Sequence, residues 1–559
     1  MNKIKSTKGI TLISLMVTII ILLILAGVSI DTLTGNNGLL NRAKDAKIAT
    51  EIAGIKEKIQ IDILGEEEWN NGNISDDTLK GILEKYGVLS KEGEKLIDKT
   101  LTTTKGNYEI KVSDIFNGTT VKDVPENPTF TTVANAPDIE GFDRTKTYYV
   151  AWNKNEGGTA YNPDERKMSE NVAPDNWYDY TAGVNHWANV KTTGGGNDCY
   201  WVWIPRYAYC ITEGYQSNTA GTIDIKFLRG TSNTPIDGSS ITISNTSGSG
   251  NWNVHPAFTN AGNGGFGELT GIWVAKFEAS SSNVSVETLE TDLATTGGGN
   301  TNSLKVRVKP NVTSWRGITV NNIFTVCRNL TSTGNSLANT TNLDSHMMKN
   351  IEWGACAYLS RSVYGINSEV WKNPYYNNDT NYSPITGLCG NETNGKDNAT
   401  TSMSNTVKYN EIGGGNASTT GNVYGIYDMV GGAWEYVAGI YKGTTSDNLG
   451  NDTNRSNLWD SNNLKYVDQY TETTGSQSTY YGNTNKYGDA VYETSSSGNS
   501  GTGSWDSSYS YFPNSSGPVF GRGGRAGSGS NAGVFAFVNH TGGADTYSSF
   551  RPVVLSSQP

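Results

Sequence analysis

Cysteine and histidine are scarce in this chain. Five Cys and four His are spread over 559 residues. A dense disulfide framework is therefore excluded, and a mechanism built on a histidine cluster has little to draw on. His186, His255, His346 and His540 fall in different segments, with no helical or strand-like spacing between them. Charge is sparse too, at 17% against about 25% in a typical soluble domain. The balance of 43 − 54 = −11 is acidic, which argues against nucleic acid as a partner, because phosphate calls for a basic face. The low charge also argues against charge-driven disorder.

What is abundant is glycine, 65 residues, together with 14 Trp, 30 Tyr and 13 Phe. Aromatics set among Gly, Asn, Ser and Thr predict short strands joined by many turns. The length suits two or three domains. The N-terminal residues carry Lys3, Lys5 and Lys8 and no acid, and Ile10 to Ile30 contains no charge at all. As a helix that run is about 31 Å long, enough to span hydrocarbon. Basic residues before it and an acidic bulk after it predict a single-pass chain with its C-terminal part outside the cell membrane. The alternative is a cleaved secretory signal, whose small-residue site would follow the apolar run; here Ala26-Gly27 lies within it.

The stretch KGITLISLMVTIIILLILAG resembles the class III leader of type IV prepilins. The resemblance implies that a prepilin peptidase cuts between Gly9 and Ile10 and that Ile10 becomes an N-methylated terminus. It makes other pilin subunits possible partners in a fibre. The family's glutamate after Thr-Leu-Ile is Ser14 here, and an unpaired site in apolar surroundings weakens subunit registration.

After a turn-like break at residues 31–38, Ile48, Ile52, Ile55, Ile59 and Ile63 form one apolar stripe of a stalk helix packing on its own domain, with an intermolecular coil the alternative. Residues 1–9 are thus read as a leader, 10–64 as span and stalk, 65–125 as a small αβ module with a helix at 78–86 and a strand at 107–112, and 126–147 as a Pro-marked linker. Residues 148–559 are read as one large domain. Within it YWVWIPRYAYCI (200–211) and GIWVAKFEAS (271–280) read as strands, and MMKNIEWGACAYLSRS (from 347) as a helix. Residues 280–302, 377–405 and 444–504 read as long insertions.

GIWVAKFEAS, NIEWGACAY, YDMVGGAWEY, GRGG and SFRPVV follow one another over some 350 residues. This order resembles the formylglycine-generating-enzyme, or sulfatase-modifying-factor, type of C-type-lectin-like domain. The whole chain is accordingly expected to be α+β, a long pilin-type helix followed by a large irregular lectin-like domain with short strands and long loops. The enzyme of that family uses two cysteines after the RGG segment. GRGGRAGSGSNAGVFAF has none, so neither nucleophile nor soft metal ligand is expected there. The five cysteines read mainly as buried thiols, with a local Cys199–Cys210 bridge the alternative.

The resemblance further implies a structural Ca²⁺ on Asp428, the carbonyls of Gly431 and Ala433, and Glu435, hard oxygen ligands in a glycine-bent loop. The alternative is that Asp428 and Glu435 only bond locally. Gly432 replaces the family's Asn. Trp434 and Tyr436 read as core, and Arg551 as the partner of a buried acid or carbonyl. Between the framework segments lie GSGSN, VNHTG and GADTYS. This pattern resembles the variable region of proteins diversified by retroelements, with candidate display positions Arg525, Ser528, Ser530, Asn539, His540, Thr541, Asp545, Thr546 and Tyr547; the alternative is an invariant polar loop surface. The expected function is a non-catalytic, membrane-anchored or fibre-associated bacterial adhesin that binds an extracellular protein or glycan. An altered enzyme of the sulfatase-modifying-factor group and a pseudopilin of a secretion or DNA-uptake apparatus are the alternatives.

Overall fold

A computed structural model describes four short strands between residues 88 and 123, and residues 133–556 apart from 282–304, 339, 341, 378–381, 444–447, 472–479 and 484–485. Leader residues Gly9 and Ile10, the span and stalk at 10–64, and the helix expected at 78–86 lie outside the described residues. The chain divides into two compact units, Met1–Thr131 and Thr132–Pro559.

In the first unit Val88–Ser90, Asp98–Thr103, Gly106–Lys111 and Lys122–Asp123 form an antiparallel sheet in that order. The strand expected at 107–112 is the third of these.

The second unit begins earlier than the expected 148. Residues 133–147, within the expected linker, pack into it: Ala134, Ile139 and Phe142 are buried, and Asn135 donates to the carbonyls of Gly230 and Thr270 at 3.0 Å each. Two seven-stranded sheets form its frame. The first runs Leu343–Met347, Pro552–Ser556, Gly271–Ala275, Cys199–Pro205, Asn189–Thr192, Thr147–Lys154, Tyr161–Lys167, with every neighbour antiparallel. The second runs Asp468–Tyr470, Trp434–Tyr441, Val519–Gly523, Gly533–His540, Ser508–Tyr511, Asn499–Ser504, and Ser548–Phe550 adds to it in parallel beside Trp434–Tyr436. The C-terminal segment thus serves both sheets, with Arg551 at the crossing.

The α+β expectation needs correcting. Among the described residues strands outnumber helices, with two α-helices, α1 (Val320–Arg328) and α2 (Asn350–Ser360). The long helix that gave the expectation its α part is not among them. Elsewhere β-branched and aromatic residues between Gly- and Asn-rich turns win. Helix α2 is buried nearly all round rather than on one face, as a helix enclosed by a core must be. Gly354 makes this possible, since a Cβ there would lie 2.0 Å from the Gly488 carbonyl oxygen. The N-terminus of α2 is closed by Glu352, whose carboxylate accepts from Lys349 N at 2.8 Å.

Two sequence expectations change. YWVWIPRYAYCI is two strands in two sheets, because Pro205 ends the first and Arg206 turns the chain; Gly271 pairs with Pro205, whereas Phe227 pairs with Tyr207. Residues 444–504 supply Asp468–Tyr470 and Asn499–Ser504 to the second sheet, so they are no simple insertion. All five cysteines are free, buried thiols; burial pushes Cys199 up to about 12. The core is heavy in tryptophan, and buried indole N–H groups find carbonyls: Trp177 on Asn189 at 2.6 Å, Trp187 on Tyr364 at 2.8 Å, Trp353 on Val534 at 2.7 Å.

Candidate functional site

The site is built around two buried arginines. Glu435 lies opposite Arg522 in the Trp434–Tyr441 ladder, and opposite Ser549 on the other side. Arg551 follows two residues later and is fully buried. Its Nε donates to Glu435 Oε2 at 2.7 Å, and its Nη2 donates to Glu435 Oε1. The same guanidinium donates to the carbonyls of Ala275 at 2.9 Å and Tyr427 at 3.0 Å. One side chain therefore ties together three of the motif segments, and Arg551 does pair with a buried acid. Arg522 donates to the Ala490 carbonyl at 3.0 Å and to Asn350 Oδ1 at 3.2 Å, and lies 5.7 Å from the Trp353 ring. Burial lowers Arg522 to about 10.

Asp428 sits at φ +62° at the start of the candidate calcium loop. Its Oδ1 accepts from Asn373 Nδ2 at 2.8 Å, and Gly387 N donates to Oδ1 and Oδ2 at 2.9 and 3.0 Å. The loop then passes Gly431 and Gly432, both at positive φ. At Ala433 it turns its N–H, not its carbonyl, toward a carboxylate: Glu278 Oε1 accepts from Ala433 N at 2.9 Å. Gly432 fits here for a local reason, since a Cβ would lie 2.6 Å from Glu278 Oε1. Burial, followed by the charges of Asp428 and Glu435, pushes the Glu278 carboxyl well above its ordinary range. Burial also raises Asp428 and Glu435, against the pull of Arg551 and of the hydrogen bonds they accept.

Asp428, Gly431, Ala433 and Glu435 do not offer an open oxygen cage. Both carboxylates already accept N–H donors, and a calcium ion would have to displace the Arg551 guanidinium from Glu435. Among the described residues no group of three or more His, Cys, Asp or Glu side chains is placed to hold a metal. Asp428 and Glu435 bond locally in this arrangement, and no step is assigned to Ca²⁺.

The display positions are drawn into a short chain of contacts. The Arg525 guanidinium lies 4.1 Å from the Tyr547 ring and 5.6 Å from Tyr382. Ser528 Oγ accepts from Arg525 N at 3.1 Å. Asp545 Oδ1 accepts from Tyr547 N at 3.0 Å, and Oδ2 meets His540 Nε2 at 2.8 Å. The other ring nitrogen, Nδ1, is 2.5 Å from the hydroxyl of Tyr436. The Asp545 carboxyl is lowered despite its burial, because His540 and the Tyr547 amide bond to its charged form. The Thr546 carbonyl accepts from Arg316 at 3.1 Å. Ser530 and Thr541 are exposed, and Asn539 pairs with Phe520 in the ladder. Arg525, Ser528, His540, Asp545, Thr546 and Tyr547 are half-buried.

No protein-family model and no curated protein matches the chain. Its reading rests on the residues.

Sequence reasoning missed Glu278, Asn373 and Tyr382. Glu278 stands inside the quoted GIWVAKFEAS segment, and asking where a buried acid finds donors would have flagged it. Tyr382 lies in a stretch read as an insertion. Trp434, read as core, is half-buried instead and stands 5.7 Å from Tyr509, whereas Tyr436 is buried as expected. Among the described residues no helix is long and apolar enough to cross a membrane; the expected span lies outside them.

Proposed function

We propose that this chain is a membrane-anchored, pilin-type bacterial surface protein whose C-terminal unit binds an extracellular protein or glycan. The observation that carries the reading is the division of labour in the C-terminal segment. Arg522 and Arg551 are wholly buried and donate to backbone and side-chain acceptors of other framework segments. The residues between them place an arginine on a tyrosine platform, Arg525 over Tyr547 and Tyr382, with the His540–Asp545 pair beside it. Arginine and tyrosine combine large contact area with adaptable hydrogen bonding, the chemistry favoured at recognition surfaces. A rigid frame beneath them reduces the ordering cost of binding.

The N-terminal half of the reading rests on the leader-like sequence: cleavage after Gly9, a terminus at Ile10, and a single span leaving the bulk of the chain outside. Mass spectrometry of the mature chain, with biotinylation of lysines on intact cells, tests both ends together. The reading expects an N-terminal Ile10 and labelled lysines beyond residue 133. An intact Met1, or lysines labelled only after lysis, contradicts it.

A further inference from the structure

A recess shares no lining residue with the Arg525 face. It is a cleft of about 330 Å³ whose lining includes Asn233, Asn245, Thr259, Glu268 and Tyr487, at the lower end of the size range of ligand pockets. Its walls are set by a buried cation. The Arg206 side chain is 1% exposed and pairs with Glu268 at 2.8 Å. It also donates to the carbonyls of Ser232 at 3.1 Å and Phe258 at 2.6 Å, and to Asn233 Oδ1 at 2.9 Å. The second Glu268 oxygen accepts from Asn260 N at 3.0 Å. Glu268 is thereby held in one orientation while its side chain remains 44% exposed. Asn233, with its oxygen committed to Arg206, keeps its Nδ2 hydrogens as donors.

We infer that this cleft binds a neutral carbohydrate, of mono- or disaccharide size. The Glu268 charge is compensated by Arg206, so the cleft has no unpaired charge with which to prefer an anion or a cation. Fixed acceptors on Glu268 and donors on Asn233 suit hydroxyl groups, each of which both donates and accepts. The hydroxyl of Thr259 and the amide of Asn245 add capacity of both kinds. The half-buried ring of Tyr487 gives an aromatic surface for a sugar's C–H face. Preorganisation by a buried guanidinium removes part of the ordering cost that weak polar ligands otherwise meet. The inference stands apart from the Arg525 face and holds or fails without it.

The test is saturation-transfer NMR on the full chain in a detergent without a sugar headgroup, using methyl glycosides of glucose, galactose, mannose and N-acetylglucosamine as probes. Transfer to ring protons of at least one glycoside is expected, with affinity about tenfold weaker in Tyr487→Ala and in Glu268→Gln. Glu268→Gln leaves Arg206 without its carboxylate and risks the fold, so Asn245→Ala, at an exposed position, supplies an independent arm and should also weaken transfer. No transfer from any of the four probes at millimolar concentration overturns the inference. So does transfer that survives both Tyr487→Ala and Asn245→Ala, or that is lost instead in Arg525→Ala.

Discussion

Replacing Arg551 by methionine should cost more than replacing Glu435 by glutamine, although the two side chains are partners. The reason is the unequal company they keep. Arg551 is the guanidinium that Glu435, Asp428 and Glu278 all feel, and each of those acids is fully buried. Arg551→Met leaves three carboxyl groups without that cation and removes the donors to the Ala275 and Tyr427 carbonyls. Breaking a buried pair from one side costs about 3–5 kcal/mol, and this site belongs at the upper end. Glu435→Gln keeps an acceptor for Arg551 and leaves Asp428 and Glu278 near the guanidinium, so its cost should be about 2 kcal/mol, that of weakening charged hydrogen bonds. Urea unfolding of the full chain, followed by tryptophan fluorescence, measures both. The Arg551→Met deficit should also shrink as the pH falls from about 7 to about 5, because protonation relieves the uncompensated acids. Equal costs for the two variants, a larger cost for Glu435→Gln, or a deficit indifferent to pH would refute the reasoning.

Other outcomes follow from the same contacts. Gly432→Ala puts a Cβ 2.6 Å from Glu278 Oε1 at φ +60° and should destabilise by about 1–3 kcal/mol in the same unfolding assay. Alkaline pH should weaken the fold through His346: burial opposes its charge, but Glu352 and Asp344, at 2.9 and 2.8 Å, outweigh it and raise it from 6.5 to about 9. That stability is fully present below pH 6.5 and is lost as pH rises through about 9; His346→Gln should flatten that part of a stability–pH curve. Glu493, raised by burial from 4.5 to about 7, adds a loss of the same sign between those values. Calcium addition or chelation should leave the thermal melt unchanged, since Asp428 and Glu435 are already bonded; a clear upward shift with Ca²⁺ would contradict the local-bonding account.

Much of the scaffold was legible where residue type and spacing agree. GIWVA is a strand because it is an apolar, β-branched and aromatic run, and NIEWGACAYLS is a helix closed by its own Glu352. The role of Arg551 could be anticipated because an arginine flanked by Phe550, Pro552 and Val553 has to find an acceptor inside. The break at Arg206 was not legible. Nothing local distinguishes WIPRYAY from an edge strand with a proline, and the turn depends on acceptors at Ser232 and Phe258, which are distant in sequence. Asn499–Ser504, sequence NSGTGS, was hidden for a different reason: its pairing with Ser508–Tyr511 uses backbone groups, which leave no hydrophobic pattern to read. At the site, what lies beneath the candidate display positions was not legible. Tyr382, which completes the platform under Arg525, comes from more than 140 residues upstream.

The central claim is that a rigid frame carries a permissive recognition face at the cell surface. Its most direct test is a library of the full chain randomised at Ser528, Ser530, Asn539, Thr541 and Thr546, in parallel with one randomised at Glu435, Arg522 and Arg551, sorted on intact cells with a conformation-dependent antibody to the C-terminal unit. The account predicts that most members of the first library are displayed folded and that few of the second are. Equal intolerance in both libraries, or no display of the unchanged chain, would contradict it.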